Sequence, residues 1–205
     1  MLQQAFGTIS LKYSNKREMI DSYWQEIEQA HQGRAYHNLG HLHAIYQELQ
    51  TIKHSIHNYD ALFYATCYHD FIYDIHRDDN EYQSALLSKE RLTSLLLPSD
   101  IIEAVYEHII ATKTHTLSLN SDSNLFMDAD LAILASEHYL KYTQAIRQEY
   151  KHYSDKEFYQ GRRMVLKHFL AQERIYHSEY FYDKYEITAR NNLKQELASL
   201  IQSVL

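Results

Sequence analysis

Cysteine, proline and glycine are scarce in this chain of 205 residues, which contains one cysteine, one proline and four glycines. With Cys67 alone, an intramolecular disulfide bond and a zinc site of several thiolates are both excluded. A β-sandwich or β-barrel needs many turns with special backbone angles, so these low counts nearly exclude an all-β fold. Because the chain does not need an oxidising compartment, we expect a cytoplasmic protein.

The sequence also lacks a long apolar run and an excess of positive charge. No stretch approaches the roughly 18 apolar residues of a membrane-spanning helix, and residues 1–16 lack the apolar core of a secretory signal. The formal net charge of −7 disfavours a protein that binds nucleic acid polymers, which needs a basic face. We therefore expect neither a membrane nor a nucleic acid polymer as a partner.

Histidine and tyrosine are abundant by contrast, with 14 and 19 residues. Histidine binds metals and exchanges protons near neutral pH, so its abundance favours metal or acid–base chemistry. Many of these histidines could still be neutral surface residues.

Apolar residues recur every three or four positions through most of the chain, which predicts an all-α helical bundle. We expect one domain over residues 1–205, with its core at about 34–135 and C-terminal helices at 137–203 packed on it. Capping patterns open helices at Ser154, with Glu157 three residues later, and at Asp100, with Glu103 three residues later. A polar loop is expected over 114–124. The predicted helices span 16–31, 38–52, 61–70, 81–96, 101–113, 125–135, 137–153, 154–172 and 178–203.

Two short patterns bring histidines together with a carboxylate. His37 and His41 are four residues apart, so they share one face if they lie on a helix. His69 and Asp70 are adjacent at the end of an apolar segment. Each pattern alone has an ordinary explanation, since histidine pairs often decorate surfaces and a His-Asp pair often arises by chance.

A third pattern places two acids, Asp128 and Asp130, inside an apolar helical segment. Burying a carboxylate is costly unless the group is paired or binds a metal. Alternatively, Asp128 could cap the helix that Asp130 continues. Imidazole nitrogens and carboxylates together suit a divalent metal such as Mn, Fe, Co, Ni or Zn.

The order of these patterns along separate helices resembles the HD superfamily of metal-dependent phosphohydrolases, and more closely its bacterial group of predicted HD-domain hydrolases. The resemblance covers most of the chain. It is carried by the segments Tyr36–His41, Tyr68–Asp74, Asn80–Ala85, Ala111–His115, Met127–Leu131, Ile146–Tyr150 and Ala189–Leu193.

The resemblance implies a helical bundle that holds one or two divalent metal ions (Mn, Co, Ni, Fe, Mg or Zn) and hydrolyses a phosphate ester with activated water. It implies that His37 is the general acid for the leaving oxygen, although His37 and His41 could exchange roles. Asp128 is the alternative to Asp130 as the final aspartate of the pattern. The implied metal ligands are His41, His69, Asp70 and Asp130.

The superfamily also suggests roles for five further residues. Glu81 could orient the attacking water, His115 and Asp128 could serve a second metal or surround the first, and Lys113 and Arg190 could bind phosphate. Each has a simpler explanation as well, such as a charge that a helix end favours or an exposed helix face.

The implied substrate is a small phosphomonoester or phosphodiester, nucleotide-like by analogy with the superfamily. A metal- or nucleotide-binding sensor or interaction module without turnover is the main alternative, and an HD-type di-iron oxygenase is another. A ferritin-like di-iron bundle is disfavoured, because its two Glu-x-x-His patterns, ending at His31 and His152, lie in the last turns of helices. Tyrosines along the last helix could contact a second copy, so a homo-oligomer is a further expectation.

Overall fold

The computed structural model of the protein describes residues 1–202, and these residues fold into helices joined by short turns without a strand among them. The all-α prediction is therefore confirmed. Short 3₁₀ turns lie at Lys53–Ser55 and Leu131–Ala135. The α-helices are α1 (Leu2–Ser10), α2 (Arg17–His31), α3 (Leu39–Thr51), α4 (Tyr59–Tyr68), α5 (Asn80–Ser94), α6 (Ser99–Ala111), α7 (Ser121–Asp130), α8 (Tyr139–Glu149), α9 (Asp155–Ala171) and α10 (Glu179–Gln202).

Three details differ from the predicted helices. Helix α1 was not predicted, because its three buried apolar positions span only two turns. Helix α7 begins inside the predicted loop 114–124, and the chain leaves the α-helix after Asp130 for a 3₁₀ turn. The predicted end of the last helix, Ser203, lies outside the described residues.

The chain forms two compact units, Met1–Met127 and Asp128–Leu205. The boundary falls inside α7, so this helix begins in the first unit and its last three residues belong to the second. The predicted limits of a single domain stay a prediction.

The first unit is built around α4. This helix is apolar on all sides, and every residue from Ala61 to Tyr68 is buried, as expected of a helix in the middle of a core. It packs against α3, α5 and α6, while α1 packs against α2. The central place of α4 matters because His69 follows its last residue directly.

The start of α4 is fixed by a buried carboxylate. Asp122 accepts hydrogen bonds from the backbone N–H groups of His57 (3.0 Å) and Asn58 (2.7 Å). The side chain of Asn58 in turn accepts the N–H of Ala61 at 3.0 Å. These bonds satisfy donors at the start of the helix.

In the second unit, α10 packs against α9 and against the 3₁₀ turn. The capping box predicted at the start of α9 is confirmed, since Ser154 and Glu157 bond to each other's backbone N–H groups. The box predicted at Asp100 is wrong. Helix α6 begins at Ser99, two residues before the predicted start, without a side-chain cap, and Glu103 pairs instead with Lys89 at 2.8 Å.

None of the helices in the described residues is both long enough and apolar enough to cross a membrane.

Candidate metal site

The end of α4 orients the ring of His69. Its Nδ1 atom lies 3.2 Å from the carbonyl oxygen of Thr66, one turn earlier. A carbonyl can only accept a hydrogen bond, so Nδ1 carries a proton and Nε2 is the ring nitrogen left to bind a metal. Metal-binding histidines are commonly oriented by such a bond on the other ring nitrogen. The residue is 2% exposed.

Two further ligand atoms converge on this nitrogen. The Nε2 atom of His41 lies 3.4 Å from Nε2 of His69. Oδ2 of Asp70 lies 3.0 Å from Nε2 of His69 and 3.7 Å from Nε2 of His41. Ligand atoms about 2.1 Å from one metal ion lie about 3.0 Å apart at a right angle and about 3.4 Å apart at the tetrahedral angle. The three atoms are therefore spaced much as ligands of one ion.

The final aspartate of the sequence pattern also meets the two histidines. Asp130 is the last residue of α7, and its carboxylate forms a group with His41 and His69 whose ligand atoms lie within 4.8 Å of one another. Both histidines are buried and Asp130 is half-buried. These three side chains lie close enough to bind a metal ion.

The charge of the site favours a cation. Burial of the Asp70 carboxyl opposes its ionisation, but His69, His37 and His41 outweigh this effect and hold the pKa of Asp70 well below its usual range. An ionised carboxylate beside two imidazole nitrogens attracts a cation. A divalent metal ion can take the place of the protons that the imidazole nitrogens otherwise carry, so the donor set fits a divalent metal.

His37 lies near this group but outside the helix. Helix α3 begins at Leu39 with Asn38 as its cap, so the expectation that His37 and His41 share one helical face is wrong. The ring of His37 packs on Tyr73 with centroids 4.2 Å apart, and its centroid is 5.8 Å from that of His41. His37 is half-buried.

A tight cap places His41 on α3. The side-chain oxygen of Asn38 accepts the N–H of Gly40 at 2.7 Å, and its nitrogen donates to the carbonyls of Arg34 (3.3 Å) and Ala35 (3.1 Å). A Cβ atom at position 40 would lie 2.8 Å from the Asn38 oxygen. Glycine therefore allows the close approach on which this cap depends.

The loop after the His-Asp pair is held by α5. Ser84 Oγ accepts the N–H of Ile72 at 3.0 Å, and the side chain of Asn80 bonds both the N–H (3.1 Å) and the carbonyl (2.8 Å) of Asp74. Sequence reasoning did not single out Ser84 or Asn80, although their spacing of four residues was a usable signal. Glu81 is half-buried three residues before Ser84 on the same helix face, and its water-orienting role stays a prediction.

The carboxylate of Asp128 is engaged elsewhere in the second unit. It accepts the backbone N–H groups of His177 (2.8 Å) and Ser178 (2.7 Å) and the hydroxyl of Ser178 (2.6 Å). Burial raises the pKa of this carboxyl, against the effect of these bonds. Asp128 thus fixes the turn before α10 rather than capping its own helix. Its burial is explained without a second metal.

Arg190, expected to bind phosphate, is also engaged within the second unit. Its Nε donates to Glu186 at 2.6 Å. The Glu186 carboxylate is buried and also accepts two backbone N–H groups. The remaining nitrogens of Arg190 donate to carbonyls at the end of α9, those of Leu170 (3.2 Å), Gln172 (2.8 Å) and Glu173 (2.9 Å). These contacts make Arg190 a structural residue.

Lys113 and His115 lie at the end of α6. Lys113 is exposed and donates to the carbonyl of Asp78 at 2.5 Å. His115 is half-buried with φ 49°, and its N–H bonds the carbonyl of Ala111 at 3.1 Å. The left-handed backbone of His115 therefore closes the turn that follows the helix. His115 does not belong to the group formed by His41, His69 and Asp130.

No known family model, curated protein or solved structure matches the chain. The resemblance to the HD superfamily therefore stays an interpretation of the sequence patterns.

The contacts of Arg190 predict that Arg190→Gln destabilises the protein. The change leaves the buried carboxylate of Glu186 without its cation, which costs about 3 kcal/mol of unfolding free energy. Urea denaturation measures this cost, and Lys194→Gln on the exposed face of the same helix is the matched control. Unchanged stability together with weaker binding of phosphate would instead support the phosphate-binding role.

Proposed function

We propose that the protein holds a divalent metal ion through His41, His69, Asp70 and Asp130 and hydrolyses a small phosphate ester. The observation that carries the proposal is the convergence of the two buried Nε2 atoms and the Asp70 oxygen at 3.0 to 3.7 Å.

The donor set narrows the choice of metal. Two imidazoles with two carboxylates suit Mn, Fe, Co, Ni or Zn better than Mg or Ca, which prefer oxygen ligands alone. Cys67 is the penultimate residue of α4, and burial of its thiol raises the pKa of this group, so it is not a candidate ligand.

The residues of the proposed site differ in their exposure to solvent. His41 and His69 are 7% and 2% exposed, whereas the side chain of Asp70 is 19% exposed and His37 is half-buried. A small solute can therefore approach past Asp70 and His37 while the imidazole ligands stay shielded from water. A small substrate also agrees with the net charge of −7, which disfavours binding of a nucleic acid polymer.

A divalent metal, when bound, supplies Lewis-acid chemistry that acidifies water and neutralises phosphate charge. The chain supplies the proton of the leaving group. A ring nitrogen of His37, near the Asp70 carboxylate, holds this proton and gives it to the departing oxygen. The carboxylate of Glu81 orients the attacking water from the first turn of α5.

The first test replaces Asp70. We expect Asp70→Asn to lower the affinity for Co²⁺ or Mn²⁺ by at least about 10-fold, because one negatively charged ligand is lost, and to abolish hydrolysis of p-nitrophenyl phosphate and bis(p-nitrophenyl) phosphate. Elemental analysis and titration measure the metal, and Asp78→Asn, on an exposed aspartate, is the control. Wild-type affinity in Asp70→Asn would refute the ligand assignment. Metal binding by the wild type without turnover of any phosphate ester would favour a sensor.

The second test separates the two histidines of the first motif. If His37 is the proton donor, His37→Gln keeps the metal and lowers kcat by about 10²- to 10⁴-fold. The matched control is His54→Gln, on an exposed histidine. Loss of the metal from His37→Gln would show that His37 is a ligand. An unchanged kcat would remove it from the reaction.

A further inference from the structure

The backbone just beyond α4 is held by one guanidinium group. Arg34 Nη1 donates to the carbonyl oxygen of Asp70 at 2.5 Å, and Nη2 donates to the carbonyl oxygen of Phe71 at 3.0 Å. These carbonyls lie two and three residues beyond Tyr68, the last residue of α4, at the end of a helix where a cation is favoured. Arg34 therefore supplies hydrogen bonds to two neighbouring peptides that no longer belong to the helix.

The same side chain also reaches the segment of the first histidine motif. Nη1 lies 3.4 Å from the carbonyl oxygen of His37. The guanidinium carbon is 5.3 Å from the ring centre of Tyr73, on which the ring of His37 packs. One cation thus connects the turn before α3, which contains His37 and leads into the helix of His41, with the residues after α4, which include Asp70.

The position of the Asp70 carboxylate depends on this connection. Arg34 bonds the backbone carbonyl of Asp70, and the side chain of the same residue places its Oδ2 atom 3.0 Å from Nε2 of His69. A planar guanidinium bonds two neighbouring carbonyls at once through separate nitrogens, whereas the single ammonium of lysine does not reproduce this fork.

We infer that Arg34 is a positioning residue of the metal site, which keeps the Asp70 carboxylate among the ligands by fixing the peptides of Asp70 and Phe71. This inference rests on the proposed metal site. It differs from a phosphate-binding role, in which Arg34 would contact the substrate and leave the metal unaffected.

The test compares Co²⁺ binding and the visible absorption of bound Co²⁺ in the wild type, Arg34→Gln and Arg34→Lys. Positioning predicts an affinity about 10- to 100-fold lower in Arg34→Gln, with a changed Co²⁺ spectrum and only partial recovery in Arg34→Lys. Arg17→Gln removes the same charge from an exposed arginine at the start of α2 and should behave as the wild type. Circular dichroism checks that the variants are folded.

The outcomes separate this inference from the proposal on which it rests. Wild-type affinity and spectrum in Arg34→Gln would overturn the positioning role, and a raised KM alone would assign Arg34 to the substrate. If Arg34→Gln does not fold, Arg34→Lys decides by the same two readouts. If the wild type itself binds no Co²⁺, Mn²⁺, Ni²⁺ or Zn²⁺, the metal site fails, and the positioning role fails with it.

Discussion

Two imidazole nitrogens and a carboxylate oxygen meet near the end of α4 at 3.0 to 3.7 Å, where a proton or a metal ion between them offsets their repulsion. The surrounding structure holds them at these distances. The apolar helix α4 is buried on all sides and fixes His69. The Asn38 cap fixes the helix that carries His41, and the guanidinium of Arg34 fixes the peptide of Asp70. Polar groups are placed at such cost mainly where function requires them.

Most helices and the cluster of His41, His69 and Asp130 could be predicted from the sequence because both depend on local patterns. Apolar spacing marked most of the helices, and the His69-Asp70 pair after an apolar run marked the site. Contacts between distant residues could not be predicted in the same way. Asp128 and Arg190 look like functional charges in the sequence, yet their partners lie about 50 and 20 residues away along the chain. His37 lies before α3 because Asn38 caps this helix. The spacing of the two histidines does not reveal where the helix begins.

The proposal of a hydrolase rests on two kinds of observation that do not depend on each other. One is the order of histidines and aspartates along the sequence, which resembles the HD superfamily. The other is the geometry of the ligand atoms, which would favour a divalent metal in a protein of any family. The geometry alone supports metal binding, and the resemblance adds the phosphate ester as the substrate class. The acid–base role proposed for His37 draws on both, since its ring lies near that of His41, with the ring centres 5.8 Å apart.

The most direct test of the central claim is X-ray absorption at the cobalt edge of the Co²⁺-loaded protein, which counts the imidazoles bound to the metal. Our account predicts two histidine nitrogens at about 2.1 Å together with oxygen ligands, and one fewer imidazole in His69→Gln. A spectrum of oxygen ligands alone, or one unchanged in His69→Gln, would contradict the assignment of this site.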